Sequence, residues 1–113
     1  MNIRSITYAV TLAIGLLFSS ISYGDPVWID VRSLAEHQID NIEGDIRILH
    51  TDIVAEVSKI YPDKNTEIRL YCRSGGRAGK ALLSLKNAGY HNVQNAGGIN
   101  DARKIRAPTK AAE

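Results

Sequence analysis

The chain has 113 residues, with 14 Lys and Arg against 12 Asp and Glu and a single cysteine. A formal charge of +2 argues against a nucleic-acid or membrane-surface partner, and one cysteine excludes an internal disulfide. The chain opens with Arg4 followed by an uncharged, mostly apolar run from Ile6 to Ile21. Ser22 and Gly24 then stand where small residues precede a cleavage before Asp25, the pattern of a secretory signal peptide. The sequence predicts export with residues 1–24 removed. An uncleaved anchor is the alternative, because Ser5 to Gly24 is long enough to span a bilayer. Cleavage leaves 89 residues, enough for one small domain with one core. A lone thiol in an oxidising compartment is a liability unless it is used.

The expected domain runs from residue 25 to 106, entered at Pro26. Val27-Trp28-Ile29-Asp30-Val31 reads as a buried first strand. Ser33 is spaced to cap a short helix through Glu36, three residues on. Gly44 marks a turn before a second strand over Ile46, Ile48 and Leu49. Thr51 or Asp52 is placed to cap a second helix with Ile53, Val57 and Ile60 on one face, and Pro62 stops it. Ile68 to Tyr71 is the third strand. A third helix is expected over residues 78–88, with Ala81, Leu82, Leu85 and Ala88 on one face and Gly89 as its cap. A short fourth strand over residues 91–95 and a turn through Gly97-Gly98 lead to a last short helix. Arg103-Lys104-Ile105-Arg106 reads as a solvated end, and residues 107–113 as a flexible tail. Strands alternating with helices predict an α/β fold with a mostly parallel central sheet and helices on both faces. Such sheets bind ligands at the carboxyl ends of their strands.

Cys72 lies at such an end. It is followed by Arg73, Ser74, Gly75, Gly76 and Arg77. A strand turning through a short glycine loop into a helix gathers unpaired amides around one point, where the helix dipole also favours an anion. A cysteine held there is biased toward thiolate, and Arg73 and Arg77 add positive charge. The plainer alternative is a βα turn with a buried structural cysteine, but that role has no use for two arginines and a glycine pair. Gly79-Lys80 does not make a nucleotide-binding loop, which needs a glycine where Ser74 stands and Ser or Thr where Ala81 stands. Lys80 is expected to face solvent. A cysteine phosphatase loop needs one residue more between cysteine and arginine than the four found here, and the shorter loop suits a single extra sulfur better than a phosphoryl group.

The run from Tyr71 to Ala81, followed by Gly89-Tyr90, Asn92-Val93 and Gly97-Gly98, resembles the catalytic half of the rhodanese (sulfurtransferase) family. Ile29-Asp30-Val31-Arg32 resembles that family's first signature. With one small domain behind a signal peptide, the chain is most similar to exported single-domain rhodaneses of the phage shock protein E type. It departs from the family at Asn41, where a histidine is common, at Asp45, where alanine is common, and near Ala102, where a tryptophan is common. The resemblance implies a periplasmic enzyme whose Cys72 takes the outer sulfur of thiosulfate as a persulfide and passes it to a thiophilic acceptor, cyanide or a thiol. It implies a loop from Arg73 to Arg77 that binds the donor, with Arg73 at the rim and Arg77 holding either the loop or the donor's sulfonate. No cofactor, no metal and no nucleic acid are implied, and the expected state is a monomer free of the membrane after cleavage. Two other functions remain open at this point: a persulfide-carrying module that serves a protein partner, and a small cysteine phosphatase.

Asp30 and Arg32 are read as a structural pair. His37, His50 and His91 share no metal-ligand spacing, and Trp28 is expected in the core.

Overall fold

The computed structural model describes residues 24–107. The segment read as a signal peptide and most of the tail lie outside the described residues. Among the described residues no helix is long and apolar enough to cross a membrane.

In chain order the elements are β1 (Val27–Asp30), α1 (Leu34–Ile39), β2 (Ile46–Arg47), a 3-10 turn (His50–Asp52) leading into α2 (Ile53–Ile60), β3 (Ile68–Cys72), α3 (Gly76–Asn87), β4 (Val93–Gly98) and α4 (Ile99–Arg106). The four strands form one sheet in the order β2-β1-β3-β4, and every pairing is parallel. The expected α/β architecture is therefore present. The central strands explain themselves: Ile29, Ile68, Leu70, Tyr71 and Cys72 are all buried, as strands covered on both faces require.

The larger core lies between the sheet and helices α2 and α3. There Ile29, Val31, Ile68, Leu70 and Cys72 meet Ile53, Val57, Ala78, Ala81 and Leu85. On the other face α4 lays Ile99 and Ala102 against Tyr71, with Trp28, Ile42 and Ala96 at the margin. Polar ties carry much of this second face. The Tyr71 hydroxyl donates to Asp45 at 2.8 Å, and Arg106 pairs with the same carboxylate while its guanidinium lies 4.4 Å from the centre of the Trp28 ring. Burial and the Asp45 carboxylate both push the Tyr71 pKa well above its ordinary value.

Several local expectations are corrected. β2 is only two residues long, and Ile48 is buried beyond it. Neither Thr51 nor Asp52 caps α2 through its side chain. The 3-10 turn supplies the entry instead, with the Asp52 amide donating to Leu49 O at 2.8 Å. Ile60, expected inside, is half exposed. β4 starts later and runs on through Gly98, because the glycine pair continues the pairing with β3 as far as Cys72. Trp28 is a half-buried shoulder flanked by Arg69 and Arg106, not a core residue. The basic end is not merely solvated: Arg103 reaches Asp40, and Arg106 reaches Asp45.

Candidate active site

β3 ends at Cys72, and α3 begins at Gly76, two residues earlier than the apolar spacing predicts. Only Arg73, Ser74 and Gly75 intervene. Gly75 turns the chain with φ +103, a conformation that disfavours any side chain. As the N-cap residue it brings no side-chain acceptor to the helix start. The cysteine sulfur takes that place. The Gly75 amide donates to Cys72 Sγ from 2.9 Å, and the amides of Ser74, Arg77 and Ala78 lie near enough to favour its anion. An N–H that the helix start leaves without a partner in the helix thus finds its acceptor in the sulfur.

Cys72 is 1% exposed. Burial by itself raises a thiol pKa, but the amides of Ala78, Ser74, Gly75 and Arg77 outweigh it, and the net shift is downward. The anion is favoured because fixed dipoles replace the water it has lost.

The loop residues divide by what their side chains do. Arg73 and Ser74 are exposed. The salt bridges of the described residues engage Arg32, Arg69, Arg77, Arg103 and Arg106, and Arg73 is in none of them. It lines an open cleft of about 520 Å³ with Arg32, Glu36, Ile39, Asp40, Ile99 and Asn100. Gly76 is open, since a Cβ there would meet nothing within 4 Å. Arg77 sends its guanidinium to Glu36, at 2.7 and 2.9 Å. The Arg77 side chain thus meets a carboxylate of α1. Lys80 faces solvent, as expected.

Two groups behind the loop escape a reading of the motif alone. Glu36 closes the capping box of α1 with Ser33 and also takes the Arg77 fork, so one carboxylate ties α1 to the first turn of α3. The hydrogen bond from Arg77, reinforced by Ser33, lowers its pKa to about 2. The Ser33-x-x-Glu36 spacing signalled the cap but not the arginine. The second group is centred on Asp30, which is fully buried. Burial would raise its pKa, yet hydrogen bonds from Arg32 (2.9 and 2.7 Å) and the contact with His37 Nδ1 (2.9 Å) prevail and keep it below the usual range. The structural pairing of Asp30 with Arg32 holds, and His37 joins it. Among the described residues no three His, Cys, Asp or Glu side chains group as metal ligands.

The model of the rhodanese-like domain matches residues 19–104 of the chain. The thiosulfate sulfurtransferase PspE of Escherichia coli K12 is 36% identical over 90 residues, which cover 80% of this chain and 86% of that protein. A solved E. coli rhodanese with anions is 35% identical, with a TM-score of 0.65 over 68% of this chain and 91% of its own. A human single-domain sulfurtransferase, at 23% identity, shares the fold with a TM-score of 0.60 over 82% of this chain and 94% of its own. With a family model spanning nearly all of the folded part and a relative this similar along four fifths of its length, the chain belongs to the rhodanese-like domain family.

Proposed function

We propose that the protein is a thiosulfate sulfurtransferase that carries sulfur on Cys72. The observation that supports this most is the buried Cys72 sulfur at the start of α3, where the Gly75 amide donates to it from 2.9 Å. The thiolate attacks the terminal sulfur of thiosulfate. A new S–S bond forms at Cys72, the bond inside thiosulfate breaks, and sulfite leaves with the electron pair. Sγ keeps its place, and the negative charge moves to the outer sulfur, one bond further out over the same loop amides. Cyanide or a thiolate attacks the outer sulfur, and the electron pair returns to Cys72. Neither step calls for a metal or an organic cofactor.

The near-complete burial of Cys72 suits this donor. A terminal sulfur is a single protruding atom, whereas a phosphoryl group must bring three oxygens to the nucleophile. Arg73, exposed and outside every salt bridge described above, attracts the dianion at the rim, and Arg77 holds the loop through Glu36. The enzyme acts as an exported, periplasmic monomer.

The test is the intact mass of the protein after incubation with thiosulfate. A gain of one sulfur atom is expected in the wild type, reversed by cyanide with formation of thiocyanate, and absent in Cys72→Ser. An unchanged wild-type mass under conditions of turnover would exclude the persulfide route.

A further inference from the structure

β4 changes register against β3 beside the active site. Leu70 pairs with Asn95, but Cys72 pairs with Gly98, so β4 holds one residue more than β3 over that interval. This is a β-bulge, of the kind that re-aims a strand near functional sites. Gly97 absorbs it with φ +89. Asn95 sits at the root of the bulge and uses both ends of its amide. Its Oδ1 accepts from the Gly97 amide at 2.8 Å, and its Nδ2 donates to Gly75 O at 3.0 Å.

Gly75 is the residue whose own amide points at the Cys72 sulfur from 2.9 Å. Its carbonyl has two lone pairs. One takes the Gly79 amide at 2.9 Å, the first rung of α3, and the Asn95 amide takes the other. Gly75 lies in a left-handed turn, and glycine has little torsional preference of its own to hold that turn. Two contacts from β4 back it. A Cβ on Gly75 would lie 3.4 Å from Gly97 Cα, and Gly98 packs so closely against the Arg73 carbonyl that a Cβ there would clash with it. The bulged end of β4 is thus the wall against which the cradle is formed, and Asn95 is its one side-chain tie to Gly75.

We infer that Asn95 is a positioning residue for sulfur chemistry at Cys72: by bridging the β4 bulge to the Gly75 carbonyl, it fixes the turn that aims the loop amides at the sulfur. It touches neither the sulfur nor a donor, and it acts through the angle of the Gly75 turn. The inference rests on Cys72 as the reactive thiolate, and its test needs no sulfur donor.

The experiment is the pH dependence of Cys72 alkylation by iodoacetamide in the full mature protein, with thermal melting alongside. Asn95→Ala removes both bonds. Asn95→Asp keeps the acceptor for Gly97 and loses the donor to Gly75. Measurements in high salt screen its added charge. Both variants are expected to move the alkylation midpoint upward by on the order of half a pH unit, about a threefold loss of thiolate below the midpoint. Asn95→Asp should do so with little change in melting temperature. Recovery of the wild-type midpoint in Asn95→Asp at high salt would assign the residue to the bulge alone and overturn the inference, as would an unshifted midpoint in Asn95→Ala. If Asn95→Ala does not fold, Asn95→Asp decides by the same criterion. A wild-type midpoint no lower than that of free cysteine would instead refute the cradle itself, so the two failures are distinguishable.

Discussion

The two faces of the sheet are built from different forces. Toward α2 and α3 the contact is apolar: Ile29, Ile53, Val57, Leu70 and Leu85 are buried to within 1%, and the sheet could slide only by opening cavities. Toward α1 and α4 the apolar cluster is small, and named ion pairs and hydrogen bonds complete it: Arg32 with Asp30, Arg77 with Glu36, Arg103 with Asp40 and Arg106 with Asp45. α1 buries none of its six residues; its own cap and polar ties hold it. Hydrophobic burial is strong but non-directional, whereas a forked guanidinium–carboxylate pair is weak at a surface and specific in geometry. The first face holds the fold together, and the second aligns what surrounds Cys72.

Breaking the first face should have the largest effect. Leu85→Ala leaves a cavity under a fully buried position of α3 and should cost about 2–5 kcal/mol of unfolding free energy. Denaturant titration checks this, and a cost below about 1 kcal/mol would mean that the apolar face is not the main source of stability.

A smaller and different effect is expected at Glu36→Gln. Its pair with Arg77 is nearly one-third exposed on each side, so the stability lost at neutral pH should stay within about 1 kcal/mol. The sign with pH is fixed by the shift. Glu36 titrates at about 2 in the folded chain against an ordinary 4.5, so the folded state favours its ionised form. That contribution is fully present above pH 4.5 and is lost as pH falls toward 2. Unfolding curves recorded through this window should therefore fall less steeply with acid in Glu36→Gln than in the wild type. Parallel acid profiles would show that the pair contributes nothing.

The smallest effect is expected at Gly76→Ala. Although adjacent to Gly75, this glycine has ordinary helical geometry and open space where a Cβ would stand. Stability should change by no more than about 0.5 kcal/mol, with Cys72 alkylation unchanged. A marked loss of alkylation rate would place the approach to the sulfur over Gly76.

How far the site was legible follows from sequence distance. The cradle is local: strand, cysteine, turn and helix start lie within one short run, and short-range rules for helix N-termini and glycine turns point to a thiolate there. Even so, the start of α3 was expected at Ala78, because apolar spacing marks only the buried stripe. Gly76 and Arg77 begin the helix because the left-handed turn at Gly75 leads the chain into it, with the Gly75 amide given to the cysteine sulfur. Gly75 and Gly76 look equivalent in the sequence, and only their backbone angles separate the one that must be glycine from the one that need not be.

Long-range partners were not legible. Arg77 and Glu36 are 41 residues apart, and Arg106 and Asp45 are 61 apart; no periodicity links them, and the arginines of α4 therefore read as a solvated end. By itself the sequence determined the alternation of strand and helix, the polarity of the faces and the strand–glycine turn–helix loop at Cys72, because each arises from interactions among residues a few positions apart. The tertiary structure alone decided which carboxylate each arginine meets, where β4 bulges and how Gly98 packs on the loop. Those outcomes depend on the order and register of the strands, and register is set only when the whole sheet closes on its core.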